Sequence, residues 1–259
     1  LSNGSVIMTE RAGRRRAGRE SGGREGRREA RANAVVETTP FIERKIPYFE
    51  YLTEENLQLI EDNADILLEE IGIDFLDDPE ALKMWKEAGA DVQGSRVHFP
   101  KGLCRSLIQA TAPREYVQHA RNPARNVIIG GKRTVLVPAY GSPFVHDIDK
   151  GRRYATINDF ENFVKLAYMA PDIHHSGGTI VEPTDAPDAT RHLDMLFSHI
   201  KFSDKAFMGS VMSRANAQDS VKIAEILYGA DEIRQNPALI SLINVSSPRR
   251  YDDRMLEAL

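Results

Sequence analysis

The chain has 259 residues, 41% hydrophobic and 28% charged, with a formal net charge of −4. That length allows one barrel-sized domain or two smaller ones, and the balance is ordinary for a globular protein. No run approaches the ~18 apolar residues that span a bilayer, no secretory apolar region follows the basic start, and the single cysteine, Cys104, excludes an internal disulfide or a Cys-only metal cluster. A cytoplasmic protein is the default expectation.

The charge is unevenly spread. Residues 1–34 hold nine Arg and four Glu, so this stretch carries +5 and the rest of the chain −9. Rich in Arg, Gly and Glu and poor in large apolar side chains, it cannot offset its own ordering entropy and is expected to be a disordered tail. Guanidinium groups suit phosphate, yet the interspersed Glu and the acidic body behind the tail argue against nucleic acid as the main partner.

Order is expected to start near Pro40. Thr53 reads as the N-cap of a helix over 53–71, with Leu57, Ile60, Ala64, Leu67, Leu68 and Ile71 at helical spacing and Gly72 closing it. Pro79 opens a short helix that closes on Gly89. Residues 91–99 read as a hairpin and 101–110 as a third helix, so 35–125 is expected to form a helical layer ahead of the main domain. Apolar runs at 126–129, 134–137 and 142–146 suggest a β-meander. Thr156 then caps a helix to 170, and strand-like 173–181 follows. Pro187 starts a helix to about 200, and 205–211 is the next strand. Ser213 caps a helix to Tyr228, and 238–245 is a third strand.

These strand starts are 32 and 33 residues apart, the spacing that a strand, helix and two loops need in a parallel sheet. Their near-continuous apolar character fits strands covered on both faces. No Gly-rich phosphate loop opens any of the helices, which favours a (β/α)8 TIM-type barrel over a nucleotide-binding sheet. The expected fold is therefore α/β, a doubly wound sheet or a (β/α)8 TIM-type barrel; as a barrel, 126–259 is the first part of one that stops short, since Tyr251–Leu259 reads as the start of a helix without a stop signal.

Function in parallel α/β folds collects at the C-terminal ends of strands. Those positions hold Glu182, Ser210, Asn244 and Ser246, with Tyr140, Gly141 and Ser142 in a similar turn upstream. Turn formation and loop capping compete as an explanation for each. His174 and His175 are adjacent on a strand and point to opposite faces, so they do not share a metal. His192 and His199 are seven apart on a helix, too far for one ion, and His146 lies beside a polar turn at 147–151. Tyr140, Phe144, Tyr168 and Phe207 are candidates for an aromatic cation cage, with core packing as the alternative. No metal site and no catalytic residue is assigned.

Tyr140-Gly141-Ser142-Pro143, the stretch from Asp172 through His174, His175 and Gly177 to Pro183, and Ile243-Asn-Val-Ser-Ser-Pro248 followed by Tyr251-Asp252 and Met255-Leu256 resemble the trimethylamine methyltransferase (MttB-like) superfamily. The likeness runs from about Pro40 onward and rests on the order and spacing of these motifs. It implies a barrel of roughly twice this length that moves a methyl group from a methylated or quaternary amine to the cobalt of a corrinoid (cobalamin) carried by a partner protein. The chain itself would bind no cofactor directly, with no nucleic acid or membrane partner, and its open sheet edges would favour association of copies. Members using trimethylamine carry pyrrolysine in the second half, beyond the last residue of this chain, and a glycine-betaine-type bacterial member without it is the expected subclass. The resemblance carries Tyr140, Gly141, Ser142, Glu182, Ser210, Asn244 and Ser246 over as substrate-side lining. A partial-barrel interaction module and another barrel lyase or hydrolase are the alternatives.

Overall fold

Helix boundaries follow local capping chemistry. In the computed structural model, which describes residues 39–259, strand β1 (Ile42–Glu43) precedes helix α1 (Glu54–Ile66). The Thr53 side chain accepts the Asn56 N–H at the start of α1, and Glu54 and Glu55 sit in its first turn, where the helix dipole favours acid. A π turn, Leu67–Ile71, widens the last coil and ends on Gly72 at φ 73°. The expected disordered tail at 1–34 lies outside the described residues.

The apolar stripe of α1 is exposed at Leu57, Ile60 and Ala64, and no residue of α1 is buried. The π turn does the packing instead, setting Leu68 against Phe75, Val97 and Phe99.

Strand β2 (Ile73–Phe75) leads to α2 (Pro79–Glu87), which Asp78 caps through the Ala81 N–H at 2.9 Å. The hairpin of β3 (Asp91–Gln93) and β4 (Arg96–His98) follows as expected, then α3 (Leu103–Thr111). A second sheet is built from β5 (Glu115–Gln118), β6 (Val127–Gly130) and β7 (Arg133–Thr134), in the order β1-β7-β6-β5. Residues 40–125 thus mix helices with strands. Strands β8 (Phe144–Asp147) and β9 (Gly151–Tyr154) form a separate hairpin. At its turn, one Asp147 carboxylate oxygen accepts the N–H groups of Asp149 and Lys150.

Beyond it the chain alternates: α4 (Ile157–Met169), α5 (Arg191–Phe202), β10 (Phe207–Met208), α6 (Arg214–Tyr228), α7 (Ala230–Gln235) and β11 (Leu239–Ile240). Thr156 and Asp159 complete a capping box on α4. Helix α5 starts at Arg191 rather than near Pro187, because the Pro187 carbonyl is used in a turn by the N–H groups of Thr190 and Arg191. The chain ends with β12 (Arg250–Tyr251) and α8 (Asp253–Glu257).

The three long strands expected at 173–181, 205–211 and 238–245 are shorter or irregular. Only β10 and β11 are regular, and they pair in parallel. Around 174–178 side chains replace ladder partners: His174 Nδ1 accepts the Leu136 N–H and His175 Nδ1 accepts the Gly177 N–H. Neighbouring segments still align. The His174 N–H donates to Leu136 O, Gly141 N–H to Thr179 O, Ser176 N–H to Ala206 O and Gly209 N–H to Ile240 O. Segments at 136–142, 174–182, 206–209 and 239–240 therefore lie side by side, with α4 packed on α5 and α5 on α6. The described residues form a mixed α/β structure of four small sheets, and they close no barrel. No described helix is long and apolar enough to cross a membrane.

One pairing has no local sequence signal. Strand β12 joins β2 in parallel, giving the order β12-β2-β4-β3. Tyr251 stacks on Phe75 with ring centroids 5.5 Å apart.

Candidate functional site

The side-by-side segments bring several strand ends together. Ser142 and Val181 form a parallel bridge, and the Glu182 N–H donates to Ser142 O at 2.9 Å. Gly141 turns the chain at φ 96°, a conformation that favours glycine. The Ser142 hydroxyl stays local, exchanging hydrogen bonds with the backbone of Phe144. The Glu182 carboxylate pairs with the Arg191 guanidinium at 2.6 Å, and Arg191 also holds Asp188. Tyr140 is half-exposed beside them. Tyr140, Gly141, Ser142 and Glu182 therefore occupy adjoining ends of two segments.

Ser210 ends the next segment along. Its N–H donates to Ser220 Oγ and its carbonyl accepts from the same hydroxyl. It lines a cleft of about 20 Å³ with Gly178, Thr179, His192 and Met208. There the His192 Nε2 lies 3.0 Å from Asp219. Asn244 and Ser246 do not join this row through the same ladder. Asn244 is exposed, and Ser246 exchanges backbone hydrogen bonds with Arg250 beside the first sheet.

The aromatic candidates separate. Phe144 packs against Tyr154 under the Arg152 guanidinium. Phe207 is buried against the His199 ring, and Tyr168 faces Arg125 and Lys205. Tyr140 is the one that stays with the strand-end row. A larger groove of about 920 Å³ lies elsewhere, between α2 and α8, with Trp85, Met84 and Leu256 in its lining.

Behind the row sits a buried polar layer that residue spacing did not announce. Gln118, completely buried, donates to the carbonyls of Phe207 and Ala238 and accepts from His175 Nε2. His199 bridges Ser176 Oγ and Gly178 O. Lys205 donates to the carbonyls of Ala167, Ala170 and Ile173, closing the end of α4, while burial pulls its ammonium down to about 8. The signal available in the sequence was a polar residue inside an apolar run. It marks burial and does not name the partner.

Burial also holds both histidines neutral, with His175 lowered to about 3 and His199 to about 4 from 6.5. The unfolded chain takes up these protons below 6.5 while the folded chain refuses them. Their contribution is therefore fully present above pH 6.5 and is lost as pH falls toward 4. Urea unfolding is expected to show about 2–4 kcal/mol less stability near pH 5 than near pH 7. Equal stability at the two pH values would contradict the buried neutral state.

Successive segments in one chain direction with helices between them define an α/β scaffold, and the ends of three of these segments form the candidate site. The family model described as trimethylamine methyltransferase (MTTB) matches residues 19–259. The chain belongs to that family. It is 48% identical over 215 residues to the glycine betaine methyltransferase of Desulfitobacterium hafniense (strain Y51), which covers 83% of this chain and 44% of that protein. It is 26% identical over 220 residues to the proline betaine:corrinoid methyltransferase of Eubacterium limosum, covering 81% of this chain and 44% of that one. A third relative is the trimethylamine methyltransferase MttB of Desulfitobacterium hafniense (strain DSM 10664 / DCB-2), 25% identical over 217 residues, or 80% of this chain and 42% of that protein. The chain thus spans less than half the length of these relatives.

Proposed function

We propose that this chain forms the first part of a (β/α)8 barrel methyltransferase that takes a methyl group from a quaternary amine of the glycine betaine class. The observation that carries this reading is the 48% identity to a glycine betaine methyltransferase, well above the 25% to a trimethylamine enzyme. The acceptor would be the cobalt of a corrinoid on a partner protein, acting as a second substrate, in a cytoplasmic setting. In this reading 35–125 is the layer ahead of the barrel and 126–259 its first units.

A quaternary ammonium offers no N–H, so recognition falls to aromatic faces and carboxylates. Tyr140 and Glu182 are the groups of that kind in the strand-end row, and Arg191 fixes the carboxylate's direction. Gly141 and Ser142 let the backbone come close to the donor, and Ser210 extends the lining on the next segment, while Asn244 and Ser246 stand apart from this row. The chain's task would be to hold one methyl carbon toward the acceptor and keep water away. The C–N bond breaks with its electron pair left on nitrogen, so glycine betaine yields dimethylglycine.

The test is to incubate the protein with chemically reduced cobalamin and glycine betaine, proline betaine or trimethylamine, and to quantify the demethylated amine by mass spectrometry. The same assay should be run on a polypeptide extended to the relatives' length. Dimethylglycine is expected to dominate, with Glu182→Gln raising KM roughly tenfold, a loss of about 1.4 kcal/mol of binding. Preference for trimethylamine, or no turnover by either polypeptide, would sink the reading.

A further inference from the structure

The stretch 46–82 holds twelve Asp and Glu and no Lys or Arg. Its leading part is also apolar and uncovered: Ile46 is 74% exposed, Phe49 77%, Tyr51 87% and Leu59 60%. Phe49 and Tyr51 pack edge to face on each other, centroids 4.5 Å apart. Lys101 and Arg105 neutralise Asp62 and Glu61. Glu50, Glu54 and Glu55 make no ion pair among the described residues. An apolar patch of this extent, rimmed by charge, marks an interaction surface, and exposed Tyr and Phe side chains make good anchors.

The complementary surface is on the same chain. Residues 101–155 carry ten Lys and Arg against three Asp and Glu. Within them the β8–β9 hairpin presents Ile148 completely exposed and Tyr154 at 62%, flanked by exposed Lys150 and Arg152. Arg153 takes up Asp147, which leaves Asp149 as the acid at the tip. We propose that the acidic, aromatic face of residues 46–60 receives the β8–β9 hairpin of a second copy of this chain.

Two arguments select that occupant. The face laid against itself sets acid on acid, which costs several kcal/mol, so a two-fold contact of this patch with itself is excluded. The hairpin complements the face in both respects, with an apolar tip for its apolar side chains and positive charge for its acids. Every copy carries both surfaces, so contacts close as a reciprocal pair or as a ring.

Sedimentation velocity across a concentration series tests this directly. Association is expected at about 50 mM salt and is expected to weaken at about 500 mM, where screening shortens the reach of the charges. The pair Glu54→Lys with Glu55→Lys, and separately the pair Lys150→Glu with Arg152→Glu, should each weaken association at least ~10-fold. An equal mixture of the two variant chains should associate again, because each then offers what the other's altered surface needs. That recovery also shows that both variants are folded. A chain that stays monomeric at low salt, variants that associate like the parent, or a mixture that fails to recover would each overturn the proposal. The second of these would assign the contact to open sheet edges.

Discussion

Gln118→Leu is expected to lower the unfolding free energy by about 3–5 kcal/mol, read from urea denaturation near neutral pH. Leucine nearly matches the volume, so the effect isolates hydrogen bonding. The wild-type amide donates to Phe207 O at 2.9 Å and Ala238 O at 3.1 Å, and accepts from His175 Nε2 at 3.1 Å. Leucine strands two carbonyls and one imidazole N–H where no water reaches, and each orphan costs about 1–3 kcal/mol. The loss also falls on a junction: this one side chain on β5 of the second sheet reaches β10, the residue before β11 and the 174–178 segment, which also bond to one another through their backbones. A cost under 1 kcal/mol would mean that these groups find other partners and that backbone hydrogen bonds and apolar contact hold the junction without the amide.

Gly72→Ala is the second large effect. The residue sits at φ 73° and ψ −171°, a region nearly reserved for glycine. A Cβ there would lie 2.4 Å from Val97 O, in the strand that pairs with β2 one residue further on. A backbone carbonyl locked in a sheet cannot yield, so strain and collision add to about 2–4 kcal/mol. For a unit of this size that corresponds to a fall in Tm of roughly 4–16 °C. Gly89→Ala is the control: its φ is 96° but nothing lies within 4 Å of the added carbon, so about 1 kcal/mol is expected. Equal shifts for the two variants would show that backbone conformation, and not the contact with Val97, sets the cost at Gly72.

The comparison between these two glycines shows where sequence reading stops. Both were legible as helix terminators, since a glycine after an apolar-periodic run ends a helix by local conformation. Thr53, Thr156 and Ser213, read as caps from the sequence, cap their helices for an equally local reason: a short side chain reaches an N–H three residues on. The 91–99 hairpin belongs to the same class. Strand extent was less legible. An apolar run states that a segment will be buried but not whether a backbone ladder or a histidine ring will take its N–H groups. At 174–178 the rings of His174 and His175 do so. At the site, spacing put polar residues at strand ends, but only the structure joined Ser142 to Glu182 and drew Ser246 toward Arg250.

Sequence alone determined the capped helices, the alternation of extended segments with helices, the basic start and acidic body, and, through ordered motifs, the family resemblance. Tertiary structure decided that α1 keeps its apolar stripe uncovered, that Gln118 closes a buried junction, and that β12 crosses back to pair with β2. The division has a physical cause. Caps and turns are settled within about four residues, where a side chain meets its own backbone. The β2–β12 pairing joins Phe75 to Tyr251, and a contact across that much chain depends on which surfaces remain unburied once everything between them has packed.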